Sequence, residues 1–166
     1  MTIEIQDVSI RAALHRDAAA VLLLAREYGL VGSPNDAAMQ HVFRRMVDDP
    51  ERLLLVADAV DSNGTGANAI RVIGYAYAQD YGQAFRCDFA TGRLHDIFVA
   101  PQFRGLGAGR LLIDGVVAWA RARPLPIILD WQATPDAIAF YERIGFTADY
   151  QSDQAEYPAF CLDTRP

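Results

Sequence analysis

Lysine is absent from this 166-residue chain, and its 15 strongly basic side chains are all arginines. No Gly-Lys-Ser/Thr run exists, which excludes a Walker-type phosphate loop. Cysteine is scarce: Cys87 and Cys161 lie far apart, form no CxxC pair and make no metal-like cluster with the three histidines. Two free thiols in a reducing compartment, and no bound metal, are the expectation. No apolar run approaches the roughly 20 residues that a membrane helix needs; the longest lies around Val21 to Ala25. The opening MTIEIQDVSIR has no basic region followed by an apolar stretch, so no secretory leader is expected and the cytoplasm is the expected location. Positive charge is in deficit. The formal net charge of −6 argues against a nucleic-acid partner, which meets a basic face. It suits amine substrates, which are cationic and drawn by electrostatic attraction.

What is present reads as one α/β domain over 1–166, without repeats, low-complexity segments or an internal boundary. Val8 to Ala13 reads as a first strand. Asp17 is a natural N-cap for a helix with Val21, Leu24, Ala25 and Tyr28 at helical spacing, stopped by Gly29 or Gly32. Ser33-Pro34-Asn35-Asp36 starts a second helix, with Met39, Val42, Phe43 and Met46 as its apolar face and Pro50 beyond its end. Leu53 to Ala59 and Val72 to Gln79 read as a hairpin around the turn-rich Asp61 to Asn68. Asp80 to Gly92 fits neither period and reads as a strand extension or a covering loop.

The chain is organised around Leu94 to Leu112. Leu94 to Val99 reads as a strand ended by Pro101, which donates no ladder hydrogen bond. Arg104-Gly105-Leu106-Gly107-Ala108-Gly109 then opens a helix carrying Leu112, Val116 and Trp119. Glycines permit close backbone approach, and the first N–H groups of a helix lack internal partners, so the loop suits an anion such as a phosphate. Arg104 and Arg110 add charge. The G-x-G-x-G spacing, set off from the strand by Pro101 to Arg104, fits the dinucleotide fingerprint poorly. Ile127 to Trp131 is a further strand. Thr134 as N-cap and Pro135 as N1 open a helix with Ala137, Phe140, Tyr141 and Ile144, stopped by Gly145. Phe146 to Tyr150 and Ala159 to Asp163 read as the last strands, joined by the polar Gln151 to Glu156. The order is β-α-α-β-β-β-α-β-α-β-β.

Arg104-x-x-Gly107-x-Gly109, preceded by Ile97-Phe98-Val99-x-Pro101-x-Phe103, resembles the acetyl-CoA signature of the GCN5-related N-acetyltransferases (GNAT). Ala137 to Phe146, with its Phe140-Tyr141 pair and Gly145-Phe146 end, resembles that family's second signature. The resemblance implies a single-domain GNAT fold: α/β, with a mixed, mostly antiparallel sheet, splayed central strands and about four helices. It implies acetyl-CoA as cosubstrate, with the pantetheine arm added strand-like at Phe98 and Val99 and the pyrophosphate on the loop of Arg104, Gly105, Gly107, Ala108, Gly109 and Arg110. Thr134, where family members often carry Asn, and Phe140 complete the implied cofactor contacts. Tyr141 matches the general acid that protonates the leaving thiolate.

The stretch Leu94-His95-Asp96-Ile97-Phe98-Val99 loosely resembles the diamine (spermidine/spermine-type) acetyltransferases, which carry glutamate where this chain has His95. His95 is the candidate base, since a neutral imidazole accepts a proton near pH 7. Asp96 falls on the opposite strand face and is expected to anchor a turn or neighbouring backbone. Glu27, Tyr28, Asp80 and Tyr81 are the candidate acceptor contacts. The function implied is direct acetyl transfer to a primary amine of a small molecule: a diamine, polyamine or amino-acid-like acceptor. The alternatives are a protein N-terminal or lysine acetyltransferase and a non-catalytic acyl-CoA sensor. Family members commonly pair, so a homodimer is a further expectation.

Overall fold

The computed structural model describes residues 5–29, 35–61, 70–150 and 156–166. Its elements run β1 (Ile5–Ala12), α1 (Ala18–Tyr28), α2 (Asp36–Asp48), β2 (Arg52–Asp61), β3 (Ile70–Gln83), β4 (Ala90–Val99), α3 (Ala108–Arg121), β5 (Ile127–Gln132), α4 (Ile138–Arg143) and β6 (Ala159–Asp163). The six strands lie in chain order in one mixed sheet, β1-β2-β3-β4-β5-β6. Two compact units divide the chain: Met1–Tyr77 with Asp96–Val116, and Ala78–His95 with Val117–Pro166.

In the first unit β1 pairs antiparallel with β2, from Val8↔Ala59 to Ala12↔Leu55, with an irregularity between Ile5 and Asp7. Ile73 to Tyr77 of β3 are buried without alternation, as expected of a strand covered on both faces. α3 packs closely here because residue 115 has no side chain: a Cβ on Gly115 would lie 2.7 Å from the Cδ1 atoms of both Ile10 and Leu55. α1 buries Val21 and Leu24 and ends at Gly29, whose φ of 126° only glycine adopts readily. α2 is capped by Asn35, which accepts from the Ala38 N–H at 2.8 Å. Its buried face is narrower than expected, since Phe43 is buried but Val42 is exposed.

Asp17 does not cap α1. It sits in helical conformation at the end of a 3-10 turn, His15–Asp17, and its carboxylate turns back to accept from the Leu14 N–H at 2.7 Å. The Arg11 guanidinium holds the same carboxylate at 2.6 and 2.9 Å and reaches Asp58 at 2.7 Å. Both carboxylates are buried.

In the second unit β4 pairs parallel with β5 over only four positions, Ala90↔Ile127 to Arg93↔Asp130. β5 stays paired antiparallel with β6 as far as Gln132↔Ala159. The β4–β5 ladder therefore stops while both strands run on, which is the expected splay. Asp80 to Gly92 resolves into the end of β3, a short turn and the start of β4. Gly92 is required there, because a Cβ would lie 2.4 Å from the Gln79 carbonyl oxygen. α4 starts at Ile138, later than expected, after a turn in which the Ala137 N–H donates to the Thr134 carbonyl at 2.8 Å. Phe146 to Tyr150 forms no strand; Asp149 makes an isolated antiparallel bridge to Ala159 of β6. Its start is tied to α4 by the Phe146 N–H, which donates to the Tyr141 carbonyl at 3.1 Å, and Phe146 packs edge-on against Trp131. Both cysteines are free thiols. Among the described residues no helix is long and apolar enough to cross a membrane. The expected helix start at Ser33-Pro34, the stop at Gly32, the turn over Ser62 to Asn68 and the joining Gln151 to Ala155 lie outside the described residues.

Candidate active site

The glycine loop belongs to the first unit. After Val99 a 3-10 turn, Pro101–Phe103, buries Phe103, and the Arg71 guanidinium lies 5.3 Å from that ring. Arg104 to Gly107 are exposed, and Gly105 and Gly107 have φ of 83° and 85°. Nothing lies within 4 Å of where their Cβ atoms would be, so these glycines serve the backbone turn and leave open space beside it. Ala108 is buried, and the Leu111 N–H makes the first turn's bond to the Gly107 carbonyl at 3.1 Å. The loop thus presents the start of the 14-residue α3 with bare backbone in front, a geometry that fits a phosphate group. Arg104 turns back, its Nε donating to the Val99 carbonyl at 3.1 Å. Arg110 pairs with Asp114 one turn along α3, at 2.9 Å.

Gly74, which carried no signal in the sequence, shapes the end of β4. A Cβ there would lie 2.7 Å from the Phe98 carbonyl oxygen and 3.1 Å from Val99 Cγ2. Because the nearest atom is backbone, Gly74→Ala is expected to shift the Phe98–Val99 segment and to destabilise the protein by about 1–3 kcal/mol. Urea denaturation checks the stability, and calorimetric titration with acetyl-CoA checks the displaced segment.

Phe98 is buried, with the ring of Tyr28 5.3 Å away and that of Tyr75 6.4 Å away. Asp96 shares this surrounding. Burial pushes its carboxyl above the usual carboxylate range. The Tyr75 hydroxyl is raised too, first by burial and then by the charge of Asp96 and by Tyr28. Among the described residues no hydrogen bond reaches the Asp96 carboxylate, so none is found there for the turn or backbone anchor expected of it.

In the second unit His95 is exposed on β4, and its Nε2 lies 3.3 Å from the Tyr81 hydroxyl, with the two rings edge-on. Tyr141 is buried, its ring 5.5 Å from Trp131, 5.1 Å from Phe140 and 5.0 Å from Phe160. Thr134 is exposed and bonds Asp136 at 2.6 Å. Asp80 does not face an acceptor: it is buried, accepting from Arg123 at 2.8 Å and from the Gly82 N–H at 2.7 Å, and so secures the end of β3. Glu27 is exposed near the end of α1 in the first unit.

Residues 18–146 match the acetyltransferase (GNAT) family. An uncharacterized N-acetyltransferase of Methanocaldococcus jannaschii is 42% identical over 58 residues, which are 34% of this chain and 26% of that one. A glucosamine 6-phosphate N-acetyltransferase of Trypanosoma brucei brucei is 32% identical over 79 residues, 47% of this chain and 52% of its own. The chain thus matches about a quarter to a half of the length of these curated relatives. The crystal structure of Arabidopsis thaliana NAA60 in complex with acetyl-CoA has the same fold, with a TM-score of 0.69 at 16% identity over 95% of this chain and 98% of that one. The family match takes in the glycine loop, the splayed β4 and the Phe140-Tyr141 helix together, and this protein belongs to the acetyltransferase (GNAT) family.

Proposed function

We propose that the protein transfers the acetyl group of acetyl-CoA directly to the primary amine of a small molecule. The carrying observation is the Gly105-Leu106-Gly107 loop, which holds bare backbone at positive φ before α3. In this reading the pyrophosphate rests on the loop's N–H groups and the pantetheine arm follows Phe98 and Val99. The acceptor's amine nitrogen attacks the thioester carbonyl carbon, the C–S bond breaks, and the thiolate leaves as CoA. Tyr141 gives the thiolate its proton, and His95 takes the proton that the amine sheds. The 3.3 Å contact with Tyr81 supports His95 in this role by orienting its ring. Sequence likeness to an enzyme named for an amino sugar favours a small acceptor over a protein.

The test is CoA-thiol release from acetyl-CoA with diamines, amino acids, amino sugars, aminoglycosides and peptides. One small-amine class should be turned over, with kcat reduced about 10- to 100-fold in Tyr141→Phe and in His95→Ala, at the low end of acid–base effects because a thiol leaves readily. Acetyl-CoA affinity should hold in both variants. Loss in Tyr141→Phe alone removes His95 as base. Turnover confined to peptides replaces the small-molecule reading.

A further inference from the structure

Arg104 opens the glycine loop, yet its side chain turns from the loop to β4, where its Nε donates to the Val99 carbonyl at 3.1 Å. The direction of that carbonyl follows from the backbone. The Ala100 N–H donates to the Ile73 carbonyl of β3 at 3.0 Å, and the peptide joining Val99 to Ala100 is planar and trans. Its carbonyl therefore points away from β3, to the edge of β4 whose ladder with β5 ends at Arg93. This is the edge to which the pantetheine arm adds in the acetyl-transfer reading, and strand-like addition draws on main-chain acceptors of this kind. The carbonyl has a second lone pair, but the guanidinium stands on the edge along which the arm must lie. Val99, Arg104, the glycines and the start of α3 all belong to the first unit. Of the two arginines that frame the loop, Arg110 is paired with the carboxylate of Asp114, whereas Arg104 bonds a neutral carbonyl. A guanidinium bonds a phosphate oxygen more strongly than a carbonyl, because both partners are then charged. A pyrophosphate on the loop therefore competes with Val99 for Arg104.

We infer that Arg104 is a latch on the cosubstrate site: it occupies the Val99 carbonyl until the pyrophosphate draws it off, so that the phosphate end of CoA readies β4 for the pantetheine arm. The two ends of one ligand are then coupled through one side chain, and the coupling is reciprocal. A phosphate-free acyl-pantetheine meets the closed edge, which reserves the site for full CoA thioesters. The inference rests on the acetyl-transfer reading for the identity of the ligand, but binding alone tests it.

The test splits the cosubstrate into ADP, which carries the pyrophosphate, and pantetheine, and follows each by calorimetric titration. In the wild type, saturating ADP should tighten pantetheine binding at least about fivefold, and pantetheine should tighten ADP binding by the same factor. Arg104→Met keeps the stem and removes the donors. It should bind pantetheine without ADP as tightly as the wild type does with ADP, and ADP should then add nothing. Arg104→Lys should restore part of the coupling. Arg104 is exposed, so both variants should stay folded, which thermal melts check. Independent binding of the two fragments by the wild type overturns the latch, as does undiminished coupling in Arg104→Met. Pantetheine binding that is weaker in Arg104→Met both with and without ADP also overturns it and leaves the contact a structural tie. Failure of the wild type to bind either fragment overturns the latch together with the CoA reading of the loop. Coupling that follows Arg104, with no amine acetylated, upholds the latch and removes the acetyl-transfer reading, whereas amine acetylation with uncoupled fragments removes the latch alone.

Discussion

Gly107→Val is expected to weaken acetyl-CoA binding about 30-fold, roughly 2 kcal/mol, with a parallel loss in kcat/KM. The argument is torsional. No atom lies within 4 Å of a Cβ at residue 107, so a side chain meets no clash, but φ is 85° and a β-branched residue resists it. Valine would pull the loop toward negative φ and turn the first N–H groups of α3 away from the pyrophosphate. Asparagine tolerates the left-handed region better, so Gly107→Asn should lose less than Gly107→Val. Because the loop is exposed, both variants should stay folded. Isothermal titration with acetyl-CoA, beside a thermal melt, measures the two effects separately. Wild-type affinity in Gly107→Val would detach the loop from cofactor binding.

Arg11→Met is expected to cost about 3–5 kcal/mol at pH 7, the range for removing one partner of a buried ion pair. Arg11 serves two buried carboxylates, at 2.6 Å to Asp17 and 2.7 Å to Asp58. Methionine fills much of the volume and leaves both without a cation. The Arg11 hydrogen bonds are the main cause holding the Asp17 carboxyl below its ordinary range, against the opposing effect of burial. A depressed carboxyl stabilises the fold above its unfolded pKa, near 4, and the stabilisation is lost as pH falls through the lower folded value. In Arg11→Met the Asp17 carboxylate keeps the opposing effect of burial without its cation, so it is costly while ionised and is relieved by protonation. The stability gap between wild type and variant should therefore narrow from pH 7 to pH 4. Urea denaturation at both values measures it, and a constant gap would reduce the role of Arg11 to packing.

The central stretch was legible because its signals are local. A strand ending near Pro101, two glycines and an apolar helix face are each read within a few residues, and β4, the loop and α3 follow. Gly29, Asn35 and Gly145 act as the helix ends they suggest. The misreadings share one physical cause, a distant partner that outcompetes a local preference. Asp17 is drawn from its capping position by Arg11, six residues back on another element. Phe146 leaves the expected strand for the face of Trp131. Asp80 is taken by Arg123, 43 positions away. Gly74 was illegible for the same reason, since it matters through the backbone of β4.

The unbroken strand order carries a consequence for how the chain acquires its structure. Each strand has the preceding one as its sheet neighbour, so no strand waits for a later segment to be inserted beside it. During synthesis, N-terminus first, β2 meets β1 once α1 and α2 have been made, and the sheet then grows by addition at one edge. The short parallel ladder after α3 must close its loop for the return of only four paired positions, so it is the expected bottleneck of that growth. A stalled nascent chain ending between α3 and β5 would keep the β4 edge open, which makes this the stage of synthesis most exposed to strand pairing with another chain.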